Sequence, residues 1–573
     1  FFFFFFLQEL TECDKAIKLS GKVPLIQLIT TMAGVVLETL SWKKLIALGI
    51  LLLLLLLSFF LIGGLVAPNP SNVMVVLGTK CLSKGSHMQQ EWFIPFGGNE
   101  KCDSIKSVDD DRIWDEGISA NQIVFSFWLP YMRDGKQLDF SRWQQMLLTV
   151  MQLDIKYDPK FPVGKDPTFQ FDARIGYRNK EDGVNDWKEL AHSLEERKLD
   201  CQIAPDKMVI GNQYNCSLLA FFELGSLHYD YYLINVRVPV EPYKGINMEI
   251  GSLMDIWVIA IHQNGGFTKV WVSIKTVMLP IVLAVLIWFW RRIMMLTRPP
   301  NLLERTLFSL GIAMCLLNLP LEWLTLAVDM PFMLMINDIR QGTFYAMLLC
   351  FWIIFAGEHI MDQVERNRLK HYWKHLAAVI FGCTCLFIFE LSERGVRLAN
   401  PFFSIWITDV GTKLALSFII LAGIAACSYF LFLCYMIFLV FRNINAKRTV
   451  LPSMSSARRK FYLGVIYRFK FLMISTLFCA ALTVCFFIIS QLNEGQWKFM
   501  DQDLNLEYTS AFFTGVFGMW NVYVIGLLCM YAPSHKNKPL ETDETSNEEE
   551  VQLTNLPSET SAVQAFASKA AAD

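Results

Sequence analysis

The sequence predicts an α-helical membrane protein with eight transmembrane helices, one followed by seven, and an all-β sandwich domain in the long loop between them. Three observations carry this. Of 573 residues, 54% are hydrophobic and only 18% charged, with a mean hydropathy of +0.36, whereas globular domains carry about 25% charged residues. Apolar runs of spanning length crowd the second half of the chain. Between the first run and the rest, residues 67–267 contain none, and several segments there alternate with the period of a strand. The 46 Phe and 16 Trp exceed what soluble cores can hide. Composition thus excludes a cytosolic enzyme assembly, a disordered chain and a collagen-like one. A net charge of −2 and a pI near 6.5 give no sign of the basic excess of a nucleic-acid binder.

A helix crosses a ~30 Å hydrocarbon core with about 20 apolar residues. The first such run is Leu45 to Val66, preceded by Lys43 and Lys44. The later ones are Val270 to Trp290, Thr306 to Ala327, Thr343 to Gly357, Leu376 to Leu391, Leu414 to Phe441, Phe471 to Ile489 and Ala511 to Tyr531. The uninterrupted apolar parts of those starting at Thr343 and Leu376 are nearer 14 residues, a length that also suits a buried or re-entrant helix. Each lengthens by a turn at Gln341 and Gly342 or at His371 to His375.

Loop charges orient the chain. With the N-terminal segment cytosolic, the loops Arg291 to Arg305, Glu358 to Lys374 and Arg442 to Lys470 hold 16 basic and 4 acidic residues. The opposite loops, Glu322 to Arg340, Glu390 to Lys413 and Gln491 to Tyr508, hold 5 basic and 10 acidic residues. The positive-inside rule then puts both termini in the cytosol and the large loop in the lumen or outside. The expected organisation is a leader or gene-model extension at 1–31, a cytosolic N-terminus at 32–44, the first helix at 45–66, a luminal domain at 67–267, seven helices at 268–531 and a disordered acidic cytosolic tail at 532–573. Phe1 to Phe6 lacks the basic region and cleavage site of a signal peptide, and Met32 is the expected start.

In the luminal domain, Ile123 to Leu129, Leu147 to Tyr157, Phe169 to Tyr177, Tyr232 to Val240 and Ile256 to Ile261 alternate like half-buried strands. One helix is expected near Asp186 to Glu196. A β-sandwich follows. Four of 14 cysteines fall here, Cys81, Cys102, Cys201 and Cys216. An even number in an oxidising compartment implies two disulfides with three possible connectivities, and proximity favours Cys81 with Cys102 and Cys201 with Cys216. Asn215-Cys216-Ser217 is a glycosylation sequon whose middle residue is itself a disulfide candidate.

No metal-ligand spacing, nucleophile motif or P-loop appears, so no cofactor, metal or catalytic residue is expected. His359, His371 and His375 read as a solvated helix-end network with Glu358, Asp362 and Arg366. Glu322 and Glu390 are intramembrane carboxylates close enough to the luminal rim for water to reach them. Seven consecutive helices behind a luminal domain suggest a receptor or a carrier.

Several stretches resemble the Wntless family, also called Evenness interrupted. They are Met32-Ala33-Gly34, Gly63-Gly64-Leu65-Val66-Ala67-Pro68, Ile261 to Trp271 (IHQNGGFTKVW), Trp290-Arg291-Arg292, Asp338 to Gly342 with Phe344 to Leu349, Gly357-Glu358-His359 with Met361-Asp362-Gln363, and Tyr531 to Asn537. The resemblance spans nearly the whole chain in family order. It implies a seven-helix bundle like that of G-protein-coupled receptors (GPCR-like) behind the luminal sandwich. It also implies a Wnt cargo receptor: a carrier, not an enzyme, that binds lipidated Wnt proteins, takes them to the cell surface and recycles through endosomes to the Golgi. Clathrin adaptor and retromer are implied partners. Implied locations are Golgi, endoplasmic reticulum, endosomes and plasma membrane.

A palmitoleoyl chain in water costs roughly 0.8 kcal/mol per CH₂, so such a carrier needs an apolar cavity as well as a soluble grip. Tyr345, Phe351, Trp352 and Phe387 are the candidate cavity walls. Tyr462 and Val465, in Tyr462-Leu463-Gly464-Val465, match the family's endocytic pattern, with Val where vertebrate members have Leu. The chain ends Lys569-Ala570-Ala571-Ala572-Asp573, without the retrieval signal of vertebrate members. The alternative reading from helix count is a signalling receptor coupled to G proteins; a membrane acyltransferase would need a nucleophile or a paired intramembrane His and Asn, which are not visible.

Overall fold

The computed structural model describes residues 36–39, 42–83, 91–95, 102–107, 110–131, 136–296, 298–360, 367–407, 409–448, 456–496 and 509–534. The expected leader, the start at Met32 and the acidic run after Ser534 lie outside the described residues. Among the described residues, eight helices are long and apolar enough to cross a membrane, and the chain is a multi-pass membrane protein.

Helix α1, Trp42–Leu61, runs on through Ile62–Val66 into the sandwich domain. That domain is built from β1 Ser71–Leu77, β2 Thr79–Leu82, β3 Ser104–Ile105, β4 Ile123–Leu129, β5 Leu147–Lys156, β6 Thr168–Arg178, β7 Lys188–Lys198, β8 Cys201–Gln202, β9 Asn215–Cys216, β10 Leu219–Leu224, β11 Tyr231–Arg237 and β12 Ser252–Gln263. Its sheets have the orders β1-β12-β5-β10 and β3-β2-β4-β11-β6-β7, with a separate β8-β9 ribbon, and all described pairings are antiparallel. Phe169, Phe171, Ala173 and Ile175 point from β6 into the space between the sheets and are fully buried there, as their spacing requires.

The helix expected near Asp186 to Glu196 is instead β7. It is an edge strand paired only with β6, so one flank meets solvent and its charges need not alternate cleanly with apolar residues. The charged run imitates a solvated helix for that reason.

Among the described residues two disulfides form, joining Cys81 to Cys102 and Cys201 to Cys216. The second closes a separation of 15 residues around an exposed hairpin. Replacing Cys201 and Cys216 by serine is expected to lower unfolding stability by about 3 kcal/mol from lost loop closure, measurable by denaturant titration.

Buried His262 on β12 packs edge-on against Phe140 at 5.7 Å, and burial holds its pKa below 6.5. Unfolding releases the ring to protonate more readily. Its neutral form therefore supports the fold fully above pH 6.5, and that support fades as the pH falls through 6.5. A His262→Phe variant should show a flatter decline in melting temperature between pH 7.5 and 5 than the parent protein.

After the sandwich, Asn264 caps α2, Gly265–Met294, by accepting from the Gly266 N–H. Then follow α3 Leu302–Asn318, α4 Met333–Ile360, α5 Trp373–Ala399, α6 Asp409–Arg448, α7 Ser456–Gln496 and α8 Thr509–Tyr531. The two short apolar segments are complete helices of 28 and 27 residues, α4 and α5. The third expected span breaks: Pro320 offers no N–H to continue α3, and the chain restarts as a short turn, Glu322–Thr325.

Helices α4 and α8 form the centre, with 67% and 78% of an 18-residue apolar stretch of each buried. Helix α1 docks on α8 through glycines: a Cβ on Gly515 or Gly518 would strike Phe60 or Phe59, and one on Gly63 would strike Thr514. By contrast, 6% of such a stretch of α5 is buried, which leaves it peripheral. Ala532 to Ser534, expected to begin a disordered tail, are packed. The Pro533 carbonyl accepts from Arg292, and that of Ala532 from the Val36 N–H.

Candidate functional site

The sandwich sits against the α3–α4 connection, the start of α4, the end of α5 and the α5–α6 loop, and the junction holds a cleft of about 220 Å³. Leu190, Leu224, Tyr229 and Tyr232 wall it on the sandwich side, and Leu334, Met335 and Leu398 on the helical side. Gly225, just after β10, permits the approach, because a Cβ there would lie 2.5 Å from the Pro331 carbonyl oxygen. Tyr229 stacks on Tyr177 at 3.8 Å between centroids. Burial, together with the hydrogen bond to Tyr177, pushes the Tyr229 hydroxyl up to about 12, and burial likewise raises that of Tyr232. The Tyr232 hydroxyl accepts from the Tyr229 backbone N–H.

Charges fringe one side of this cleft. Arg394 donates to Glu223 at 2.6 Å and to Asp338 at 3.2 Å, and Arg397 bridges Glu223 and Glu393. Two arginines from α5 thus hold one sandwich carboxylate.

The α5–α6 loop makes a stronger attachment. It inserts Phe402, 1% exposed, into the sandwich core between Phe221 and Phe222, each 5.9 Å away between centroids. Buried Arg197 donates to the Phe402 carbonyl at 2.9 Å, and the Glu223 N–H to that of Pro401 at 3.0 Å. Asn400 donates to Glu195 at 3.1 Å. Burial works against the Glu195 carboxylate, but donors from Ser193, Arg197 and Asn400 outweigh it and lower its pKa.

A second junction links Trp143, edge-on to Trp323 at 5.5 Å, with Gln145 donating to Thr325 at 2.9 Å and Arg142 to the Leu326 carbonyl at 2.8 Å. Directly beneath it lies an ion triad. Glu322 accepts from Lys275 of α2 at 2.6 Å and from Arg340 of α4 at 3.2 Å, and all three side chains are at most 8% exposed. Glu322 was expected at a water-accessible rim; the structure seals it among two cations and the Trp271 ring, which faces Lys275 at 5.2 Å. Half-buried Glu390 lies on α5.

The remaining expected residues are dispersed. Phe351 and Trp352 are buried in the bundle core, the Trp352 indole donating to Tyr523 at 3.0 Å. Tyr345 lies edge-on to Trp520 at 5.2 Å and accepts from Gln341 at 3.1 Å. Phe387 faces Gly342 across the α4–α5 seam. Tyr462 and Val465 lie in α7 with side chains outside the described set, and Asn215 is exposed on β9. The three histidines do not form one network. His359 packs among Phe355, Phe469 and Tyr531, and His375 stacks on Phe432. Glu358 is buried, accepting from Tyr372 at 3.0 Å and from the Asn367 N–H, while Asp362 and Arg366 lie outside the described residues. No group of three or more His, Cys, Asp or Glu among the described residues could hold a metal ion.

A family model described as "Wntless-like, transmembrane domain" matches residues 264–535, and one described as "Wntless, GOLD domain" matches residues 79–263. The chain belongs to the Wntless family. Protein wntless of Drosophila mojavensis is 48% identical over 569 residues, covering 95% of this chain and 100% of that protein. Protein wntless homolog of Gallus gallus is 48% identical over 91% of this chain and 96% of its own length. That of Mus musculus is 48% identical over 88% and 92%. The boundary between the two Wntless domains falls at Gln263 and Asn264, where β12 ends and α2 is capped. Family membership supports a role in Wnt secretion and favours transport over G-protein signalling.

Sequence reasoning missed Phe402, Arg197, Lys275 and Arg340. Lys275 sits inside an apolar run, and that was the available signal: a cation there needs a buried partner.

Proposed function

We propose that this protein binds lipidated Wnt proteins in the secretory pathway, carries them to the cell surface and is recycled. The observation that carries this reading, beyond family, is the doubly anchored junction. A sandwich able to grip a protein surface is fastened over a helical bundle able to shelter an acyl chain, with a partly apolar cleft between them. In this reading the sandwich is luminal and both termini are cytosolic. Phe387 meets Gly342 at the α4–α5 seam, the proposed entrance for the acyl chain, and Tyr345, Phe351 and Trp352 lie beyond it toward α8, where Tyr345 and Trp352 pack against Trp520 and Tyr523. Glycan at Asn215 decorates the exposed β8-β9 hairpin. Tyr462 and Val465 serve clathrin adaptor recognition and retromer assists recycling, the adaptor requiring the first turns of α7 to open, because strand-adding recognition uses extended peptide.

Deletion in Wnt-producing cells tests the function. Secretion should fall while Wnt remains acylated, and unchanged secretion would refute the carrier reading. Loss of acylation would point to an acyltransferase. For the cavity, Trp352→Ala should reduce Wnt co-purification; full retention would remove Trp352 from the acyl site.

A further inference from the structure

On the face of the six-stranded sheet turned away from the sandwich core, β4 presents Trp128, β6 ends in Arg178, β11 begins with Tyr231, and Trp187 precedes β7. The Trp128 and Trp187 rings meet edge-on at 5.1 Å. The Arg178 guanidinium lies 5.6 Å from the Trp128 ring, 5.5 Å from that of Trp187 and 4.7 Å from that of Tyr231. All four residues are at most 7% exposed. Three N–H groups in this cluster, Nε1 of Trp128, Nε1 of Trp187 and Nε of Arg178, are buried without any acceptor.

Leaving one such donor unpaired costs about 1–3 kcal/mol, so three in one place call for an occupant. Every orphaned atom here is a donor, which defines what is missing: an acceptor. Arg178 adds a formal positive charge. Its Nη1 donates to the Asp182 carbonyl at 3.2 Å, and no carboxylate among the described residues forms an ion pair with it. The Asp182 carboxylate is engaged by the Asn179 N–H at 3.0 Å and by Lys188 at 3.7 Å. Water would satisfy the donors but add two O–H groups to a cluster whose orphaned atoms are all donors. An anion adds none. Because the donors are shielded from solvent, it must be small.

We propose that Trp128, Trp187 and Arg178 form a closed site for a halide-sized anion, two indole N–H groups and one guanidinium N–H donating to it. It is independent of cargo binding and ties β4, β6 and the start of β7 together.

The test is the thermal midpoint of the full-length protein in detergent, followed by tryptophan fluorescence at constant ionic strength, in sodium chloride, bromide or gluconate. Chloride and bromide should raise the midpoint saturably over gluconate by roughly 2–4 °C. Trp187→Phe, which removes the N–H and keeps an aromatic ring, should abolish the difference between salts whatever its own baseline. If that variant does not fold, Trp128→Phe, which removes the other indole N–H, takes its place. Bromide should also give an anomalous scattering peak among the three side chains in crystals. Equal midpoints in all three salts, or a variant that keeps the full halide effect, would overturn the proposal.

Discussion

Replacing Phe402 by alanine is expected to destabilise the sandwich domain by about 3–5 kcal/mol, the usual cost of emptying a core position of a large aromatic side chain. Phe402 belongs to the same buried cluster as Phe171, Phe221 and Phe222, although it is attached to the helical half of the chain. The defect should therefore appear in the sandwich while the bundle keeps its own core. Denaturant unfolding of the full-length protein, with limited proteolysis to show which half opens first, measures both. Arg197→Ala should act in the same direction by leaving the Phe402 and Ala220 carbonyls without their charged donor. A loss below about 1 kcal/mol for Phe402→Ala would mean that the cavity collapses freely and that the strap contributes little.

Glu322→Gln should be comparably damaging to the bundle. Removing one partner of a buried ion pair costs about 3–5 kcal/mol, because the remaining charge stays out of water without compensation. Here the carboxylate serves two cations, so its loss strands both Lys275 and Arg340. Lys275→Met should cost less, since Arg340 and Glu322 still pair. Combining Lys275→Met with Glu322→Gln should cost less than the sum of the two single changes, because both remove the same ion pair, and the coupling is read from a double-mutant cycle of melting temperatures in detergent. If Glu322→Gln melts with the parent protein, water reaches the triad and the rim placement expected from sequence is right after all.

Much of the architecture could be read from residue order. Spanning helices announce themselves because lipid demands continuous apolar length, and strands such as β5 and β6 because one buried face demands alternation. Edge strand β7 could not, since half of its environment is water and its charges obey no period. The position of Glu322 failed for a different reason: distance from a helix end says nothing about which side chains of other helices close over it. Nor does any local pattern mark Phe402 as a sandwich core residue, because its partners lie far away in the sequence. The expected acyl-site residues show the same limit. Aromatic residues on α4 such as Phe351 and Trp352 carry no local signal that separates a side chain walling a cavity from one filling the core or facing lipid, and their burial is set by helices distant in the sequence.

The strap has a consequence for how the protein is made. The last strand of the sandwich ends at Gln263 and its missing core residue is Phe402, roughly 140 residues later, or about 7–28 s of synthesis at 5–20 residues per second. During that interval the domain waits with a hole between Phe221 and Phe222, and the hole is filled only after α2 to α5 have been made and placed. Completion of the sandwich thus reports that membrane insertion has proceeded in order. A chain with one helix misplaced would display an unfinished apolar core, the kind of surface that chaperones retain.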